Sequence, residues 1–84
     1  LTYQPPPEDL AGFPGASKVK RKTPVQGKGS LRRRWKDVDG IIYEWDSQHG
    51  TVEKYDKRGA HLGEYDPNTA EQTKPADPSR SVEP

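Results

Sequence analysis

Between residues 31 and 69 the chain reads LRRRWK, DVDG, IIYEWD, SQHG, TVEKYD, KRG, AHLGEY and DPNT, so that short runs carrying β-branched and aromatic residues alternate with turns rich in Asp and Gly. Runs of this length are too short for amphipathic helices and are bounded by strong turn signals. They predict strands at 31–36, 41–46, 51–56 and 60–65, joined as an antiparallel meander. Five of the seven aromatic residues (Trp35, Tyr43, Trp45, Tyr55 and Tyr65) fall here, and only 27% of the chain is apolar. A large core is excluded. The expected fold is one small, mainly β domain, an antiparallel sheet over 31–66 with irregular segments on both sides.

Residues 1–30 are Pro/Gly-rich and then basic. PPPEDLA predicts one helical turn, with prolines ahead of acids in the first turn. Residues 17–30 lack periodicity and predict a flexible basic segment. Beyond Tyr65 the tail, 67–84, is expected to be irregular, because EQTKPADPSRSVEP holds three prolines and little apolar content. The net charge of +1 conceals a split: nine Lys/Arg and no acid between Lys18 and Lys36, then eleven acids and five bases from Asp37 onward. Such an arm is either a solvated linker or a phosphate-seeking element.

Cysteine is absent, which excludes disulfides and thiolate zinc sites. With two histidines and scattered carboxylates, no metal and no cofactor are expected. No apolar run reaches the length of a membrane span, and no charged-then-apolar leader opens the chain. The first residue is Leu, which points to a piece cut from a longer protein.

Strand registers place the carboxylates. A symmetric turn at 47–50 sets Asp46 opposite Thr51, Glu44 opposite Glu53 and Ile42 opposite Tyr55. Glu44, Asp46, Glu53 and Tyr55 then share one face, while Ile41, Tyr43, Trp45, Val52 and Lys54 share the apolar one. A three-residue KRG loop, with Gly59 in the left-handed position, pairs Tyr55 with His61 and Glu53 with Gly63, leaving open space beside Glu53. His61 joins the polar face, and His49 stands above it in the turn. A solvated sheet face bearing acids is one explanation. Yet Glu44 and Glu53 as direct cross-strand neighbours repel, which mere decoration tends to avoid. A carboxylate and an imidazole beside a cationic arm suit RNA cleavage. The 2′-hydroxyl supplies the nucleophile, so DNA is inert and no metal is needed.

RRRW, IYEWDSQHG, HLGEYDP and PADPSR resemble, in order and spacing, the C-terminal nuclease domain of cloacin and the ribosome-inactivating E-group colicins. The resemblance covers roughly residues 31–82. It implies a strongly twisted antiparallel sheet and a bacterial toxin that cuts small-subunit ribosomal RNA at the decoding A-site and halts translation. By that resemblance the catalytic aspartate, histidine, glutamate and arginine fall on Asp46, His49, Glu53 and Arg80. Glu53 is expected as general base, His49 as general acid and Asp46 as the group that holds the imidazole. Tyr55 and His61 match positions near the site, and Lys74 matches a basic residue that meets RNA. Arg32, Arg33 and Arg34 are expected to contact phosphate.

The chain departs from the family in a Tyr55–His61 loop one residue shorter, an SVEP ending and a lower positive charge, which would suit a related pyocin or contact-dependent toxin. The resemblance also implies ribosomal RNA and a small acidic immunity protein as partners. It implies a monomer delivered from a producer cell, in contact with membrane only in transit, that acts in the target cytoplasm. The rival readings are a non-catalytic RNA- or ribosome-binding module and an interaction domain that docks an acidic protein.

Overall fold

The computed structural model describes residues 2–27 and 29–84; Leu1 and Lys28, both part of the basic N-terminal arm, lie outside the described residues. Six strands form one antiparallel sheet in chain order: β1 (Ser17–Val19), β2 (Arg34–Lys36), β3 (Ile42–Asp46), β4 (Thr51–Tyr55), β5 (His61–Tyr65) and β6 (Gln72–Lys74). The meander read from the turns is therefore present, with irregular segments flanking it. It is wider than the pattern predicts. β1 comes from the segment expected to be a flexible arm, and β6 from the tail. Neither carries a local strand signal, because three residues hold an edge position only when a longer strand offers its backbone.

The β3–β4 hairpin has the predicted register, with Ile42 opposite Tyr55, Glu44 opposite Glu53 and Asp46 opposite Thr51. Tyr55 also pairs with His61 as expected. The prediction then fails by one residue. A bulge skips Leu62, so Lys54 faces Gly63 and Glu53 faces Glu64. The space at Gly63 is not open: a β-carbon there would meet the Gln72 side-chain amide and the Lys74 carbonyl. Gly63 has φ +138°, a conformation that favours glycine and lets the strand bend.

One face carries the apolar cluster of Leu10, Ala16, Trp35, Tyr43, Trp45 and Val52, with Phe13, Ile41 and Tyr65 packed against it. The N-terminal segment forms the second layer. Both indole N–H groups donate to its backbone, Trp35 to the Glu8 carbonyl at 3.2 Å and Trp45 to the Gln4 carbonyl at 2.7 Å. PPPEDLA does not make a helical turn. Two consecutive tight turns, Phe13 N–H to Leu10 O and Ala16 N–H to Phe13 O, sink Leu10 and Ala16 onto the sheet instead. Lys54 lies on this face with its ammonium 5.6 Å from the Phe13 ring centre and 4.9 Å from that of Tyr65.

The opposite face is buried as well, contrary to the ordinary expectation of a solvated one. Arg34, Glu44, Glu53, His61 and Glu64 are all buried there. Arg34 donates to Glu44 Oε2 through Nη2 (2.7 Å) and Nε (2.9 Å), and the Thr23 hydroxyl from the N-terminal arm adds a third hydrogen bond at 2.7 Å. Removing one member strands the other. Glu44→Ala is expected to cost about 3–5 kcal/mol, whereas Arg34→Met with Glu44→Leu should recover most of that loss. Urea denaturation followed by tryptophan fluorescence reads both; a single-variant loss below about 1 kcal/mol would mean the pair is not desolvated.

Candidate functional site

Five side chains line up across neighbouring strands in register: Arg34, Glu44, Glu53, Glu64 and Lys74. Three acids in direct cross-strand contact repel, so each needs its own cation or donor. Glu44 has Arg34. Glu53, at the centre, receives His61 Nε2 at 2.8 Å and Arg80 Nη1 at 3.3 Å on one carboxylate oxygen. Glu64 accepts the Thr73 hydroxyl at 2.6 Å on Oε2, while Lys74 Nζ stands 3.9 Å from Oε1.

The state of His61 follows from its two contacts. The Asp77 backbone N–H donates to Nδ1 at 2.9 Å, so that nitrogen presents a lone pair. The proton is therefore on Nε2, aimed at Glu53, and the ring is the neutral tautomer. Glu53 accepts from it as a carboxylate. Arg80 is carried by a tail that docks through backbone bonds: His61 N–H to Arg80 O (3.3 Å), Arg80 N–H to Asp77 O (3.0 Å) and Val82 N–H to Gly59 O (2.9 Å). Arg80 Nη2 also donates to the Tyr55 hydroxyl at 3.2 Å. Partial burial works against the guanidinium's charge, but the Tyr55 oxygen and the Glu53 carboxylate outweigh it and raise its pKa. Burial, opposed by Arg80, pushes the Tyr55 hydroxyl up.

Asp46 ends β3 and organises the turn that follows. Its Oδ1 accepts the backbone N–H groups of Gln48 (2.9 Å) and His49 (3.2 Å), and its Oδ2 lies 2.7 Å from His49 Nδ1. Partial burial alone would raise the carboxyl. The His49 hydrogen bond and the two backbone donors outweigh it and hold the group below its usual range. His49 itself is half-exposed, with its Nδ1 edge committed to Asp46.

Asp46, His49, Glu53, His61, Lys74 and Arg80 line one cleft of about 470 Å³. Glu64, Asp77 and the prolines at 75 and 78 complete its wall. A second groove of about 510 Å³ shares Asp46 and Arg80 with it and runs on to Arg32, Gln48 and Val25. A third hollow, edged by Tyr3, Leu31 and Trp45, adjoins this groove through Val25 and Arg32 and is lined by Arg21 and Arg33 as well. Asp46, His49, Glu53 and Arg80, four residues singled out in the sequence, are thus gathered with Lys74 around one opening.

Other expectations need revision. Arg34 is 1% exposed, with Nε and Nη2 on Glu44 and Nη1 buried, so it presents no donor at the surface to a phosphate. Tyr55 and His61 are buried, with no ring face open for a base to stack on; they act on Arg80 and Glu53 instead. Arg32 lines the second groove but donates to the Trp45 carbonyl at 3.0 Å, and Arg33 is half-buried. Sequence reasoning missed Glu64 and Asp77. The only local signal for Glu64 was Gly63, which marks the bulge. One nitrogen of His49 and one oxygen each of Asp46 and Glu64 lie within 4.8 Å of one another, the one set of three or more such groups among the described residues close enough to share a metal ion.

Comparison with known proteins gives a consistent picture. The family model described as Cytotoxic matches residues 4–83. Cloacin from Escherichia coli is 48% identical over 84 residues, Colicin-E6 46% and Colicin E3 44%, both also from Escherichia coli. Each match covers 95% of this chain and 15% of the relative's own length.

The pH behaviour of the fold follows from Asp46. A carboxylate whose folded pKa lies below its unfolded value stabilises fully above the unfolded value and loses that contribution as pH falls through the folded one. Asp77, held down first by the Ser79 hydroxyl and then by its N–H, acts with the same sign. The share of stability held by these two carboxylates should be level from neutrality to about pH 4 and fall below it. Asp46→Asn should lower the level region and soften the fall, read from urea midpoints across pH. Superimposable acid limbs for parent and variant would mean that His49 and the turn do not hold the carboxylate.

Proposed function

The chain belongs to the Cytotoxic family, and from that premise we propose that it is the nuclease domain of a bacterial toxin, cutting small-subunit ribosomal RNA at the decoding A-site without a metal. The observation that carries this reading is the pairing at the cleft. A buried carboxyl group, Glu53, sits between the His61 imidazole and the Arg80 guanidinium, and an exposed imidazole, His49, is aimed by Asp46 at the same opening.

In this reading Glu53 takes the proton from a ribose 2′-hydroxyl. The 2′-oxygen attacks the adjacent phosphorus, the bond from phosphorus to the 5′-oxygen breaks, and His49 in its charged form delivers a proton to that leaving oxygen. The products are a 2′,3′-cyclic phosphate and a free 5′-hydroxyl. Arg80 donates to the phosphoryl oxygens as charge gathers on them. Asp46 holds the His49 ring in the required orientation. Tyr55 and His61 keep Arg80 and Glu53 in place. Each proton-transfer group is typically worth about 10²–10⁴ in rate.

The strand would track from Lys74 past Glu53 and along the groove toward Arg32, with the exposed Lys20, Arg21 and Lys22 meeting phosphates further out. The same cationic surface suits a small acidic immunity protein in the producer. We take the domain to be one part of a larger toxin, acting in the cytoplasm of a target cell, since the chain spans only 15% of the length of each relative.

The test is incubation of the purified domain with intact bacterial ribosomes in chelator, with RNA ends mapped by primer extension. One new end at the decoding site is expected. Glu53→Gln and His49→Ala should each lower the rate by about 10²–10⁴ while keeping parental circular dichroism. Parental cutting by either variant removes that residue from the mechanism, and intact RNA on domain-bound ribosomes would leave a binding module. Affinity for ribosomes should fall steeply with salt; a Kd unchanged between 50 and 200 mM salt would rule out the cationic arm as a phosphate contact.

A further inference from the structure

We propose that the cleft binds a divalent ion of the zinc class through Asp46, His49 and Glu64, and that the bound ion silences the nuclease. The binding rests on the cleft's geometry; the silencing rests on the functional reading given above.

Glu64 is the unusual member of the acid row. The bulge at Leu62 turns its carboxylate onto the cleft side, where it is 5% exposed. Glu44 and Glu53 each have a guanidinium close by, whereas Glu64 has the Thr73 hydroxyl on Oε2 and, of the Lys and Arg side chains among the described residues, is paired with Lys74, at the outer limit of an ion pair and itself largely solvated. A buried carboxylate with so distant a partner is costly. One oxygen of its carboxylate lies with one Asp46 oxygen and one His49 ring nitrogen, all within 4.8 Å of one another. A groove for a polyanion with surplus acid on its floor is short of positive charge there, and a dication supplies it.

The donor set selects the metal. One imidazole nitrogen with two carboxylate oxygens suits zinc, whereas magnesium and calcium favour all-oxygen shells. Bonds of about 2.0–2.2 Å imply ligand separations of roughly 3.3–3.5 Å, so the widest separation in the cluster must close by about 1.5 Å. Asp46 stands at a strand end and His49 on an exposed turn, and these two can close upon the fixed Glu64. His61 takes no part, because its Nδ1 is occupied by the Asp77 N–H. Three protein ligands leave a fourth position for water or a phosphate oxygen. With one His49 nitrogen bound to metal and Asp46 drawn from its ring, the imidazole no longer delivers a proton to the leaving oxygen.

Isothermal titration of tag-free, chelator-stripped protein with zinc chloride decides the site. One ion per chain is expected, bound at least 10-fold more weakly by Glu64→Gln and by His49→Ala, the latter on an exposed turn that the fold does not need. Magnesium chloride should give no heat. No zinc binding, or equal affinity in both variants, overturns the site. In parallel, ribosome cleavage by the parent should fall along the binding curve and return with chelator. Zinc binding with cleavage unchanged or faster overturns the silencing. If the metal-free parent leaves ribosomes intact, the functional reading fails, and the titration still decides the metal site.

Discussion

Three glutamates side by side on adjacent strands are the constraint around which this small protein is arranged. Like charges in cross-strand contact destabilise a sheet, and burial makes each worse. The fold answers by bringing a different partner to each one from a different part of the chain. Arg34 comes from the preceding strand and Thr23 from the N-terminal arm, to Glu44. His61 and Arg80 come from β5 and the tail, to Glu53. Thr73 and Lys74 come from the last strand to Glu64. The irregular termini are therefore the source of the counter-charges and donors, and the sheet face that should have been solvated is enclosed because they cover it.

The other face shows the same dependence in apolar form. A sheet holding so few large hydrophobic residues cannot close a core by itself. The N-terminal segment supplies Leu10, Phe13 and Ala16, and the two indoles fix it by donating to its carbonyls. The chain is thus layered on both sides by segments without regular structure of their own. Their order derives from the side chains they satisfy.

Particular residues mark how far the sequence could be read. The β3–β4 hairpin was legible to the residue, because a four-residue turn and strict alternation leave one register. That alone brought Asp46 and Glu53 to one face, with His49 in the turn above. Tyr55 opposite His61 was legible from the Gly59 loop. Glu64 was not: a bulge shifts the register by one and moves each later side chain to the other face, and nothing short of the folded pairing announces it. Arg34 looked like an RNA contact because a basic run carries no sign of which member is turned inward. Its burial depends on Glu44, ten residues away, and on Thr23. β1, β6 and the hold of Asp77 on His61 are tertiary in origin, so short polar windows gave no warning of them.

Gly59 has φ +91°, and a β-carbon on it would collide with the Val82 carbonyl, so the turn and the tail can be close only because that carbon is missing. Asp46, His49 and Glu53 belong to one hairpin, β3 and β4 with the turn between them. Arg80, by contrast, arrives across a separation of 25 residues from Tyr55 and rests on that bare turn. The cleft therefore has its guanidinium only while the tail is docked, and the residues that dock it lie beyond β5. Completion of the fold and acquisition of the full charge set are the same event.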